Sequence, residues 1–227
     1  MSKNLTEIVY ILDRSGSMSG LEKDTIGGFN SMMKKQKATG KEAVVSTVLF
    51  DDVCEVLHNR VDISKVKKMT EEEYYVRGCT ALLDAVGGAI HHIGRIHKHM
   101  SDEERPEKTI FVITTDGMEN ASRKYSYEKV SRMIKRKQEK YGWEFIFIGA
   151  NIDAIKEANR FGIRKDRAIN YINDSVGIGH VYGSVSKAVC SVMEAGSVKE
   201  VEKCMNESAW DEEVRNDYGN RNKKSHN

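Results

Sequence analysis

A chain of 227 residues can bury one large core and is short for two ordinary domains. Its 36 Lys and Arg against 34 Asp and Glu leave a formal charge of only +2, so the overall balance gives no electrostatic case for nucleic acid or an acidic membrane surface. Four cysteines, Cys54, Cys79, Cys190 and Cys204, form neither a CxxC pair nor a zinc-like spacing, and buried or free thiols in a reducing cytoplasm are the expectation.

The first apolar stretch, "LTEIVYIL", is interrupted by Thr6 and Glu7 and runs into Asp13. It fits neither a signal peptide nor a membrane span, which again points to a cytoplasmic protein. "IVYILD" (8–13) reads as a buried strand, residues 21–38 as a helix, and "AVVSTVLFDD" (43–52) as a second strand. "CEVLHNRVDI" (54–63) follows after a short Asp51-Asp52 turn and reads as an antiparallel edge strand. Leu82, Val86, Ala89, Ile90, Ile93 and Ile96 recur at helical spacing, and "TIFVITTD" (109–116) is the next strand. Ser126 caps a helix through Val130, Met133 and Ile134, and "EFIFIGA" (144–150) is a strand. Asp153 and Gly162 bound a short helix, and "RAINYI" (167–172) is a weaker strand.

This alternation predicts an α/β, doubly wound, mostly parallel sheet with one antiparallel edge strand and helices on both faces, a Rossmann-like arrangement over residues 1–174. Ile178, Val181, Tyr182, Val185, Val189 and Val192 form one stripe. A C-terminal helical extension over 175–212 is therefore expected to pack on the domain. Residues 213–227 lack apolar periodicity and are expected to be a disordered tail.

In such a sheet, ligands bind beyond the carboxyl ends of the strands where successive crossovers diverge. The first strand ends in "DRSGS" and the fourth in "TTDG". If the two are neighbours, Asp13, Ser15, Ser17 and Asp116 converge, and Thr80 in "RGCTALLDA" can offer its hydroxyl at the same rim.

These residues carry a family resemblance. "DRSGSM" matches the Asp-x-Ser-x-Ser signature of the von Willebrand factor A (VWA) domain, "GCTALLDAV" resembles its threonine loop and "VITTDGMENAS" its third loop, across roughly residues 5 to 171. The resemblance implies a metal-ion-dependent adhesion site (MIDAS), with Asp13, Ser15, Ser17, Thr80 and Asp116 holding Mg2+ or Mn2+ directly or through water. It also implies a non-enzymatic module that binds an Asp or Glu of a partner protein. Hard oxygen donors with incomplete charge neutralisation suit Mg2+, which keeps several waters and leaves a position for an incoming carboxylate.

Other readings of single residues are more modest. Arg14 reads as a solvated or loop-bracing cation, Cys79 as a packed thiol, and Asp51 and Asp52 as the strand turn. In "HHIGRIHKH" (91–99) no two histidines are three or four residues apart, so a solvated helix face is expected rather than a zinc site. A metal-dependent phosphatase is the main alternative, but the haloacid dehalogenase signature needs a second Asp where Ser15 stands. An RNA-associated role would rest on Lys34, Lys35, Lys37, Lys41 and "RMIKRKQEK" (132–140), which lack interleaved aromatics.

Overall fold

The computed structural model describes residues 4–224. Six strands form one sheet in the order β3-β2-β1-β4-β5-β6. They are β1 (Thr6–Asp13), β2 (Ala43–Phe50), β3 (Cys54–Asp62), β4 (Lys108–Thr115), β5 (Glu144–Gly149) and β6 (Ala168–Asn170). All neighbours run parallel except β2 and β3. The central strand β1 is buried along its whole length, with Tyr10 and Leu12 facing one core and Val9 and Ile11 the other. That two-sided burial is why the parallel strands read as unbroken apolar runs rather than as alternations.

On one face lie α1 (Glu22–Ala38), α5 (Ser175–Glu194), α6 (Val198–Glu207) and the end of the chain. The other face carries α2 (Leu82–His99), α3 (Tyr127–Tyr141) and α4 (Ala154–Arg160). Three helices, α3, α4 and α5, start on a side-chain cap. Ser126 accepts from Lys129 N at 3.3 Å, Asp153 from Lys156 N at 3.0 Å and Asp174 from Gly177 N at 2.8 Å. α1 and α5 meet closely at Gly28, where an added Cβ would stand 2.2 Å from Tyr182 Cδ2.

Three expectations need correction. Where a disordered tail was expected over 213–227, Glu212–Lys224 form a helix, α7, and residues 225–227 lie outside the described residues. α7 is strongly polar, so its sequence shows no apolar stripe. It is held by the buried Val214, by Arg215 Nη2 donating to Ala168 O at 2.9 Å, and by an Arg221–Asp174 ion pair. His97 does not belong to a solvated face: it is buried, 3.1 Å from Glu7 Oε2 and edge-on to Trp143 at 5.4 Å. Cys79 is exposed rather than packed, because its loop lies on the rim of the molecule. No helix among the described residues is long and apolar enough to cross a membrane.

Candidate metal centre

The crossover from β1 to β2 leaves toward one edge of the sheet, while β4 returns to the other flank of β1. The ends of β1 and β4 therefore flank the switch point, and they bring Asp13 and Asp116 together. Asp13 Oδ1 accepts from Ser15 N at 2.7 Å, which folds "DRSGS" back over the strand end. Its Oδ2 accepts from Thr115 Oγ1 at 2.5 Å. Ser15 Oγ and Ser17 Oγ lie 3.1 Å apart, and Ser17 Oγ donates to Asp116 Oδ1 at 2.5 Å.

Thr80 closes the group from a third loop. An added Cβ on Gly117 would sit 3.0 Å from Thr80 Oγ1 and 3.4 Å from Ser17 Oγ, so both hydroxyls face one point that only glycine leaves open. The loop carrying Thr80 is tied down along its length. Tyr74 OH donates to Asp13 O at 2.6 Å, Arg77 N to Arg14 O at 2.9 Å, Gly16 N to Gly78 O at 3.2 Å, and Ala81 N to Asp51 O at 2.8 Å. The structure thus gathers Asp13, Ser15, Ser17, Thr80 and Asp116 from three loops.

The electrostatics explain what such a cluster lacks. Asp13, Ser15, Thr80 and Asp116 are buried, and Ser17 is exposed. Burial pushes the Asp13 carboxyl up to about 6, against the hydrogen bonds from Thr115 and Ser15, and the Asp116 charge acts in the same direction as burial. Burial also raises Asp116, against bonds from Ser17 and Asn173. Both carboxylates are short of positive charge, and the adjacent cation does not supply it. Arg14 turns away and is fully buried, pairing with Asp51 at 2.9 Å and with Glu55 at 2.9 Å. It braces the β2–β3 turn instead. Asp51 also pairs with Arg77 at 2.8 Å. Burial alone would raise Asp51, yet the bonds from Arg77, Val53 N and Arg14 hold it below its ordinary value.

Two carboxylates and three hydroxyls form a hard-oxygen donor set, which fits a cation such as Mg2+ or Mn2+. Among the described residues no group of three or more His, Cys, Asp or Glu side chains is arranged to hold a metal. Three further residues complete the cluster without having been singled out in the sequence. Thr115 stands in "TTD" beside Asp116, and its apolar neighbours gave the signal of a strand only. Tyr74 belongs to none of the three motifs and reaches Asp13 O from 61 positions away. Asn173, 57 positions from Asp116, donates Nδ2 to Asp116 Oδ2 at 2.8 Å, a contact no local pattern announces.

This sheet order, with β1 and β4 ending in polar loops at the switch point, is the fold of a von Willebrand factor A domain. Three solved structures show the likeness. Proximal thread matrix protein 1 from the mussel byssus has a TM-score of 0.56 and 16% identity over 84% of this chain and 47% of that one. A von Willebrand factor type A protein from Catenulispora acidiphila has a TM-score of 0.52 and 14% identity over 83% of this chain and 42% of that one. The SpRpn10 VWA domain has a TM-score of 0.53 and 11% identity over 78% of this chain and 93% of that one. The chain thus spans about half the length of the mussel protein, which has also been solved with zinc occupying its MIDAS motif. No family model and no curated protein matches the sequence.

Proposed function

We propose that the chain is a divalent-cation-dependent protein-binding module, non-enzymatic and cytoplasmic, acting as an adaptor or assembly factor. Asp13, Ser15, Ser17, Thr80 and Asp116 would hold Mg2+ or Mn2+, directly or through water. The ion, when bound, supplies a coordination position for an Asp or Glu carboxylate of the partner. The observation that carries this reading is the convergence of two buried, cation-starved carboxylates with three hydroxyls at the sheet's switch point. The zinc-occupied MIDAS of the mussel protein supports a divalent cation at this place in the fold. The all-oxygen donor set favours a harder ion here.

This chain's own residues divide the work. Asp13 and Asp116 supply the negative charge, and Thr115 and Asn173 hold the two carboxylates in orientation. Thr80 and the serines add neutral oxygens, which leave the charge of a divalent ion incompletely balanced. The phosphatase alternative lacks a general acid at position 15, where the Ser15 hydroxyl lies against Ser17.

Calorimetric titration with Mg2+ and Mn2+ tests the proposal, together with affinity capture from native cytosol in Mg2+ and in EDTA. The expected result is cation binding that Asp13→Ala abolishes and a captured protein that chelation releases. Titrations showing no binding of either ion at millimolar concentration would overturn the reading. So would Mg2+-dependent turnover of a generic phosphate ester, in favour of a hydrolase.

A further inference from the structure

Beside the candidate cation site runs a groove of about 1050 Å³, lined by the outer face of α2, the β2–β3 turn and the loop after β4. It meets the site at two points. Cys79, which precedes Thr80, lies on its rim, and Asn120 on its wall accepts from Thr80 N at 2.9 Å.

The loop that forms this wall is bolted to the first turn of α2. Glu119 accepts from Ala121 N at 3.0 Å, Ser122 N at 2.8 Å and Leu83 N at 2.8 Å, and Ser122 Oγ accepts from Asp84 N at 2.9 Å. Asp84 in turn accepts from the main-chain N–H of Arg123, Lys124 and Tyr125 at 3.0, 2.9 and 3.0 Å. Thr80 leads into that same helical turn. The threonine of the candidate cation site and the segment carrying Arg123 and Lys124 are therefore parts of one rigid unit.

Three cations line the groove: Arg95, Arg123 and Lys124. All are exposed, and none has a side-chain hydrogen bond or ion pair among the described residues. Of the two acids on the lining, Asp84 has both oxygens engaged by main-chain N–H groups, and Asp52 lies on the rim beside Gly78. The cations available to a ligand thus stand together on the wall and on α2.

We infer that this groove receives an acidic segment of the partner protein. One carboxylate would go to the cation site, and a second, a few residues away, would lie against Arg123 and Lys124, with Arg95 beyond them on α2. The inference rests on the cation-dependent reading above and extends it from a single carboxylate to a spaced pair. Exposed ion pairs are individually weak, but on a preorganised wall they fix the register and direction of the bound segment. Selectivity between acidic partners would then reside in the groove, while the cation supplies the common anchor.

The test is an amide NMR titration with acetylated ten-residue Gly-Ser peptides, run in Mg2+ and in EDTA. One peptide carries a single Glu, and the others carry a second Glu three or six residues to either side. At one spacing, the two-Glu peptide should shift the amides of 13–17 and 123–125 together. It should bind about two- to fivefold more tightly than the single-Glu peptide. That gain should vanish in Arg123→Gln/Lys124→Gln, with thermal stability and single-Glu affinity unchanged. A single-Glu peptide indifferent to Mg2+ sinks the cation-dependent reading and this extension with it. A Mg2+-dependent single-Glu peptide that gains nothing from a second Glu, or a gain that survives in the double variant, sinks only the groove. A uridine oligonucleotide that moves the same amides more tightly than any peptide, with or without Mg2+, would assign the groove to RNA instead.

Discussion

Asn173 donates its side-chain amide to Asp116 at 2.8 Å, and the residue after it, Asp174, caps α5 and pairs with Arg221 of α7. One short segment thus ties the candidate cation site to α5, which packs on one face of the sheet, and to α7, which lies against the edge strand β6. Asn173→Ala removes the donor while leaving both helices in place. Its expected effect is a loss of Mn2+ affinity of about tenfold or more, the scale on which outer-shell partners act on metal sites. The thermal midpoint should change little. Calorimetric titration of variant and wild type checks this, and equal affinities would make the amide incidental.

The buried Arg14–Asp51 pair gives a second expectation. Removing one partner of a buried ion pair leaves an uncompensated charge, so Asp51→Ala should cost about 3 kcal/mol, softened by the second contact from Arg14 to Glu55. The pH dependence has a definite sign. Asp51 is held below its unfolded value of 3.8, so its contribution is fully present above that value and is lost as pH falls through the folded one. Denaturant unfolding from pH 7 to pH 3 should show a loss at the acid end that is smaller in Asp51→Asn than in wild type.

The C-terminus gives the third. Removing residues 212–227 uncovers Ala168 O on the edge strand β6 and exposes the site of the buried Val214. Burial of one such side chain contributes about 1.5–3 kcal/mol. A chain ending at 211 should therefore fold with a midpoint several degrees lower. A chain ending at 174 loses the whole α5 stripe and should aggregate. Scanning calorimetry separates the two, and an undisturbed midpoint for the first would show α7 to be dispensable.

What the sequence discloses follows from how each feature is held. β1, β2, β4 and β5 are buried on both faces, so their apolar runs are unbroken and easy to read. The Asp13, Ser15, Ser17, Thr80 and Asp116 set is legible because three of its members share five consecutive positions, while Asp116 directly follows β4 and Thr80 lies just before α2. Asn173 and Thr115 are not legible, since each acts through one hydrogen bond to a residue remote in sequence. α7 escapes for a different reason. It is anchored by one valine and by arginines bonding across the fold, and such ties leave no periodicity. His97 was hidden by its company, because three of the four histidines in its run are indeed at least partly exposed while it alone is buried against Glu7.

Gly117 tests the geometry of the site from the steric side. An alanine there would carry a Cβ 3.0 Å from Thr80 Oγ1, tighter than ordinary contact, and 3.4 Å from Ser17 Oγ. The neighbours must give by a few tenths of an ångström, and both hydroxyls belong to the proposed donor set. Gly117→Ala should thus lower cation affinity at least as much as Thr80→Ala, and should cost about 1–2 kcal/mol of stability from overpacking. The two changes are coupled in a definite direction. With Thr80 shortened to alanine, the nearest atom of residue 80 is its Cβ, 3.9 Å from the new methyl group, an ordinary distance. The stability cost of Gly117→Ala should therefore largely disappear in the Thr80→Ala background, giving a double-mutant cycle with a favourable interaction term of about the overpacking cost. Denaturant midpoints of the four proteins provide the cycle. Additive costs would mean that Thr80 Oγ1 does not face Gly117, and with that the threonine would leave the proposed donor set.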